Sequence, residues 1–182
     1  MTSTIKEIEH FSWSSMNSFE KDIHSFYTRY VLWEEPVYCD NVRKAMEFWK
    51  EYEVSLSKWL FFNYDTQKEC ELILWGYKLY GLFDFYNEDK HHVVECKTKS
   101  GWWSDDEVHK SWQFRFYNYW CKKNWFRFTL HQFNKKEKKS DERDLFFLDK
   151  TFEEDFIAKA QQIERFLKQF NVNVRHYDIQ KD

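Results

Sequence analysis

Apolar positions recur at helical spacing in the first third of the chain, at strand spacing through its middle, and at helical spacing again near its end. In "SWSSMNSFEKDIHSFYTRYVLW" (12–33), Met16, Phe19, Ile23, Phe26, Tyr27 and Tyr30 return every few residues, the mark of one buried helix face. Ser12 or Ser14 can cap its first turn, and Pro36 marks a break. A second helix is predicted from Asn41 to Leu60, where Val42, Met46, Trp49, Leu56 and Leu60 form a stripe. Glu53 falls in that stripe. A carboxylate there is costly unless it is paired or binds a metal; the alternative is a frayed edge of the stripe, where it reaches water.

"CELILW" (70–75) and "YKLYGLFDFY" (77–86) are dense in aliphatic and aromatic residues and predict strands. Asn87–Lys90 supplies a turn, and "HHVVECKTK" (91–99) returns, giving an antiparallel hairpin over 77–98. His91 and His92 are expected exposed at that turn. A loop at Gly101 and Ser104–Asp105 leads into a helix from about Asp106 to Lys122, carrying Val108, Trp112, Phe116, Tyr119 and Trp120. "WFRFTLHQF" (125–133) and "DLFFLDK" (144–150) predict two more strands, joined by the charged, solvated "NKKEKKSDER" (134–143). "TFEEDFIAKAQQIERFLKQF" (151–170) closes as a helix, with a capping box from Thr151 to Glu154 and a stripe of Phe152, Phe156, Ala160, Ile163, Phe166 or Leu167, and Phe170. This order predicts an α/β or α+β domain: a central mixed β-sheet flanked by helices.

Composition changes that picture little. The 182 residues suit one domain over 1–182, with N-terminal helices in 12–60 and a C-terminal helix over 152–170. Aromatics at 22% exclude a disordered chain, and 3 Gly with 1 Pro leave turns to Asn, Asp, Ser and Lys. A net charge of -3 argues against nonspecific coating of nucleic acid while leaving room for a local basic groove. Cys39, Cys70, Cys96 and Cys121 lack the short spacings of zinc or iron–sulfur sites. A reduced, cytoplasmic protein with free thiols is expected, with no secretory segment and no membrane span.

One strand carries chemistry. In "VVECKTKS" (93–100), residues two apart share a face, so Glu95 and Lys97 point one way and Val94 and Cys96 the other. Across the hairpin, Asp84 can approach Glu95. Two close carboxylates repel unless a cation lies between them, and a hard divalent ion suits all-oxygen ligands. An ammonium beside such an ion can stabilise charge on a phosphate oxygen. Taken alone, Glu and Lys two apart are also a common edge-strand pattern.

Three ordered motifs sharpen this: G-x-x-D (Gly81, Asp84), E-x-K-T (Glu95, Lys97, Thr98) and Q-x-x-x-Y (Gln113, Tyr117). Together they resemble the PD-(D/E)XK nuclease superfamily, in its RecB-type branch, shared by AddAB nucleases and CRISPR-associated exonucleases. Ser12, Ser14, Met16, Phe19, Phe26 and Tyr30 resemble that branch's opening helix. The resemblance spans residues 12 to about 120 and implies a restriction-endonuclease-like core over about 68–133. It implies metal ligation of Mg²⁺ or Mn²⁺ by Asp84, Glu95 and the Cys96 carbonyl, with Lys97 as catalytic lysine. Gln113 and Tyr117, one helical turn apart, would support the catalytic strand or contact DNA; the plainer reading makes Tyr117 a core aromatic and Gln113 a solvent-facing residue. Relatives often carry a further metal-binding His or Glu before the strands. No G-x-x-H pattern occurs here, so Glu53 is the candidate, with Glu47 and Glu51 behind it. The C-terminal cysteines of an iron–sulfur site are missing, so no such cluster is expected.

Substrate phosphates would need cations. Lys99, Lys110, Arg115, Lys122 and Lys123 cluster in sequence around the expected site. Trp102 and Trp103 could stack on unpaired bases or cover a core edge. Lys135–Lys139 could touch a backbone or be a solvated loop. The expected function is metal-dependent DNA hydrolysis, by an exonuclease on ends or single strands, an endonuclease on the same site, or a nuclease-like binding module with little catalysis. A helicase or recombinase partner, and a phage origin with a host-cytoplasm location, go with that reading.

Overall fold

The computed structural model describes residues 6–178, so the ends of the expected 1–182 domain lie outside the described residues. The elements are β1 (Lys6–Ile8), β2 (Phe11–Ser12), α1 (Trp13–Lys21), α2 (Ile23–Tyr27), a π-helical turn (Thr28–Leu32), α3 (Asp40–Trp59), β3 (Asp65–Leu74), β4 (Tyr77–Asn87), β5 (His92–Lys99), α4 (Asp105–Lys110), α5 (Trp112–Lys123), β6 (Arg127–Asn134), β7 (Lys139–Asp144), α6 (Phe152–Lys168) and β8 (Val172–Val174). The architecture is mixed α/β, with a central sheet flanked by helices. The chain forms two compact units, and β3 and β4 each run from one into the other.

The first unit takes in the chain up to Pro36, Glu71–Gly81, and Asp149 onward. β1 pairs in parallel with β8, and β2 with Leu79–Tyr80 of β4. Its interior holds Phe11, Met16 and Phe26 together with Phe152, Phe156, Ala160, Ile163 and Leu167, the buried stripe of α6. The single helix predicted over 12–33 is interrupted. Asp22 leaves helical geometry at φ -152° and its carboxylate accepts the Ser25 N–H at 3.1 Å, capping α2 instead of continuing α1. Ser12 caps α1 in a reciprocal box with Ser15. The box predicted at Thr151 is not formed. Its backbone stands at φ -105°, ψ -1°, outside the extended form that aims a cap hydroxyl at the first turn, and the hydroxyl donates to Asp155 at 2.9 Å.

The second unit, Val37–Cys70 and Leu82–Leu148, carries the expected chemistry. β5 runs antiparallel to β4 and parallel to β6 along its whole length, with α4 and α5 as the crossover between the parallel strands. On one side, Leu56 and Phe61 pack on Phe85, Val94 and Cys96, with Trp49, Tyr52 and Tyr64 at the margin. On the other, Phe114 and Tyr117 of α5 meet Phe83 and Phe128. The helix predicted over 106–122 is two helices, broken where Ser111 turns extended.

Two strand expectations change. Past Asp144, which ends β7, "DLFFLDK" forms no strand: the Phe147 carbonyl accepts from Asn118 Nδ2 at 2.9 Å and Lys122 Nζ at 2.7 Å, and Phe146 and Leu148 face water. The strand lies earlier, in the charged connection. β7 pairs antiparallel with β6 as an edge strand. Exposed nearly throughout, it has no buried face to impose an alternating pattern, and its charges are what an edge needs to resist pairing with another chain.

Candidate active site

The site begins where the β4–β5 ladder ends. Its pairs are Asn87↔His92, Tyr86↔Val93 and Phe85↔Val94. The next step would set Asp84 opposite Glu95, but pairing stops there. The alternation of β4 also shifts at this point. Phe83 meets Tyr86, three residues on, and Tyr117 of α5, while Phe85 meets Phe61 on the opposite side. Two residues apart should share a face, so the chain steps by one at Asp84, as at a β-bulge, which re-aims a side chain. The Leu82 backbone is met by Tyr117, whose hydroxyl donates to the Leu82 carbonyl at 2.6 Å and accepts the Leu82 N–H at 3.2 Å. Tyr117 is fully buried, with its hydroxyl on the Leu82 backbone two residues before Asp84.

Into this split come Asp84, Glu95, Cys96, Lys97 and Gln113. Asp84 Oδ2 accepts the Cys96 N–H at 2.8 Å, taking a donor that a continuing ladder would have used. Glu95 Oε1 accepts from Lys97 Nζ and from Gln113 Nε2. Glu95 Oε2 is buried and meets no donor, and the only hydrogen bond open between Glu95 and Asp84 is one through a shared proton while one of the two carboxyls is protonated. Gln113, expected in its plainer reading to face solvent, is buried.

Burial and then the neighbouring Asp84 push the Glu95 carboxyl up to about 8. Burial also raises Asp84, against the pull of Lys97 and the Cys96 N–H. Lys97 loses by burial, but Glu95 and Asp84 outweigh that loss and hold its ammonium above the usual lysine range. The site therefore favours a protonated Lys97 beside a carboxylate pair that resists carrying two negative charges.

Among the described residues, no group of three or more His, Cys, Asp or Glu side chains stands ready to hold a metal ion. Two carboxylates do fit one. The unpartnered Glu95 oxygen is a buried acceptor facing electrostatic repulsion from Asp84, and a hard divalent cation is the species that would relieve both. The N–H and C=O of one strand residue leave toward the same edge, so the Cys96 carbonyl also points toward the β4 side. Glu53 lies nearby, on α3. Its carboxyl is raised by burial and then by Asp84, and Gln67 Nε2 donates both to Glu53 at 2.6 Å and to Asp84 at 3.3 Å.

The expected DNA-contacting residues divide. Lys99 pairs with Glu107 and lies 5.3 Å from the Trp103 ring centroid. Trp103 packs edge-on against Phe114, and its backbone N–H donates to Gln132 Oε1 at 2.9 Å. Trp102 is 36% exposed and donates to Glu137 at 3.2 Å. Lys110 pairs with Asp106 at 2.8 Å, and Arg115 lies 5.1 Å from the Trp112 ring centroid. His92 is not exposed as expected. It bridges Tyr64 and Thr129, each at 2.7 Å.

Sequence reading missed two features. Gln67 joins Glu53 to Asp84 from a left-handed backbone at φ 53°, rare for a residue with a side chain, and nothing in its composition signals that. A chain of hydrogen bonds also runs from Tyr52 to His131 at 2.8 Å and on to Glu142 at 2.9 Å, tying α3 to β6 and β7 one residue from Glu53. Its members lie too far apart in sequence for any local pattern to link them.

This fold occurs in solved structures. SSO0001 superposes with a TM-score of 0.56 at 15% identity, over 88% of this chain and 79% of that one. A protein from Eubacterium rectale described as a "putative exonuclease" gives 0.55 at 13% identity, over 90% of this chain and 82% of its own. At such identities the likeness is one of fold. No family model matches the sequence, and no curated protein does.

Proposed function

We propose that this chain is a nuclease-like protein that engages DNA at the Asp84–Glu95–Lys97 site and, with Mg²⁺ or Mn²⁺, hydrolyses phosphodiester bonds there. The observation that carries the reading is the buried, unpartnered Glu95 oxygen beside Asp84 with the Lys97 ammonium adjoining. A bound divalent ion supplies charge neutralisation at a phosphate and makes water more acidic. Asp84, Glu95 and the Cys96 carbonyl would hold it, with Glu53 as a further oxygen. Lys97 would then leave Glu95 for a phosphate oxygen, Gln113 would fix the Glu95 carboxylate, and Tyr117 would hold the Leu82 backbone. Lys99, Trp102, Trp103, Lys110 and Arg115 would line the path of a bound strand.

The finer reading is a RecB-type exonuclease working as one nuclease-like domain over 1–182, in DNA repair, recombination or phage DNA processing, beside a helicase or recombinase. The ordered motifs support it, as does the fold shared with the Eubacterium rectale protein. A second reading, a nuclease-like DNA-binding module with little catalysis, draws on a specific observation: no three acidic or histidine side chains are assembled for a metal among the described residues. An endonuclease using the same residues is the third.

End-labelled linear DNA and covalently closed circular DNA, incubated with Mg²⁺, Mn²⁺ or chelator, separate these readings. Metal-dependent loss of linear DNA, abolished in Lys97→Ala, supports the exonuclease. Cutting of the closed circle selects the endonuclease. Binding without cleavage selects the module.

A further inference from the structure

The Lys135–Lys139 run and the aromatic face of α3 have no part in the chemistry above, yet both adjoin it. In the β5–β6 register, Lys97, Thr98 and Lys99 stand beside Gln132, Phe133 and Asn134, so Phe133 lies at the strand end that carries Lys97. The chain then enters the β6–β7 turn. That turn is built: Asn134 Nδ2 donates to Glu137 at 2.9 Å, Trp102 Nε1 donates to the same carboxylate at 3.2 Å, and the Lys135 N–H donates to the Lys99 carbonyl at 2.8 Å. Lys136, Lys138 and Lys139 face water around it.

Against this strand end pack the rings of α3. Phe48 stacks parallel to Tyr52 at 6.4 Å and lies 6.3 Å from Phe133; Tyr52 lies 4.9 Å from Phe133, and Trp49 6.3 Å from Tyr52. Phe48 remains 40% exposed. Lysines lie over two of these rings, Lys135 at 5.1 Å from Phe48 and Lys97 at 5.8 Å from Trp49. The platform thus begins at Lys97 and ends in a cationic turn.

We propose that this platform of Phe48, Trp49, Tyr52 and Phe133, rimmed by Lys135 and its turn, binds an unpaired DNA strand and leads it to Lys97. The inference rests on the nuclease-like reading for its destination, but its binding chemistry stands on its own. Rings interleaved with ammonium groups suit a ligand that offers flat π-faces and phosphates together, as unpaired nucleotides do. A duplex presents its phosphates but keeps its base faces stacked. An apolar protein segment would have to strip water from the lysines lying on the rings.

The test is fluorescence anisotropy of labelled oligo-dT, an abasic strand of the same length, and a duplex, with the full chain in chelator so that nothing is cut. Phe48→Leu keeps an apolar side chain against Tyr52 and Phe133 but removes the π-face. It is expected to weaken oligo-dT binding about tenfold, to leave the abasic strand and duplex within about twofold, and to be rescued by Phe48→Tyr. Lys135→Ala is expected to weaken all three and to flatten the salt dependence. Equal losses in Phe48→Leu on oligo-dT and the abasic strand, or no loss on either, would overturn the proposal. The two readings fail separately. Cleavage lost in Lys97→Ala alongside unchanged strand binding in Phe48→Leu removes the platform and keeps the nuclease. Selective loss of oligo-dT binding in a protein that cuts no DNA keeps the platform and removes the nuclease.

Discussion

Replacing Glu95 by Gln is expected to change how the metal-free protein's stability depends on pH. In the folded chain, burial and Asp84 push the Glu95 carboxyl up from 4.5 to about 8. The unfolded chain holds it near 4.5, so between the two values the folded state binds one more proton. Stability then falls as pH rises, by about 1.4 kcal/mol per pH unit, and levels off once the folded carboxyl has ionised. From about pH 6.5 to about pH 8.5 the loss attributable to Glu95 is about 2 kcal/mol. Glu95→Gln keeps the shape, still meets Gln113 and Lys97, and has no proton to lose. Urea denaturation of both proteins in chelator across that window reads the difference directly. Groups that do not touch Glu95 titrate alike in both proteins and cancel, so the difference reads the Glu95 site with its coupled Asp84 and Lys97. The wild type should lose about 2 kcal/mol relative to the variant as pH rises. Parallel profiles would refute the reasoning, because they would mean that Glu95 is ionised at neutral pH without the cost its burial implies.

Three further outcomes follow from the same geometry. Tyr117→Phe leaves the Leu82 N–H and carbonyl without their buried partner and should cost about 1–3 kcal/mol in urea denaturation; an unchanged midpoint would mean that these two bonds add nothing to stability. Gln67→Ala removes the amide that an ion must displace from Glu53 and Asp84, so Mn²⁺ should bind several-fold tighter by calorimetry; weaker binding would instead make Gln67 a ligand through its carbonyl oxygen. Burial pushes His92 down to about 4, so its contribution is fully present above about pH 6.5 and is lost as pH falls through about 4; His92→Gln should flatten that acid loss, which solvent screening of the half-buried ring holds to about 1–2 kcal/mol, and an unflattened curve would place the loss elsewhere.

What the sequence made legible is what short periods encode. Glu95 and Lys97 are two apart in a strand, and Gln113 and Tyr117 are four apart in a helix, so each pair's common face could be read without coordinates. The α6 stripe and the β4–β5 hairpin were legible for the same reason. What escaped depends on departures from period or on distance along the chain. The one-residue step at Asp84 and the left-handed Gln67 break the pattern that would reveal them. β7 has no buried face, so hydrophobicity gives no signal, and the apolar "DLFFLDK" drew the strand assignment instead. The helix over 12–33 looked continuous because the spacing of its apolar residues bridges Asp22, whose carboxylate caps the next helix.

The measurement that bears most directly on the central claim is a calorimetric titration of the metal-free chain with Mn²⁺ near pH 8, beside Asp84→Asn. The account expects one Mn²⁺ site in the wild type, with proton release as Glu95 ionises, and loss of that site in the variant. Equal Mn²⁺ binding by both proteins, or none by the folded wild type, would contradict it.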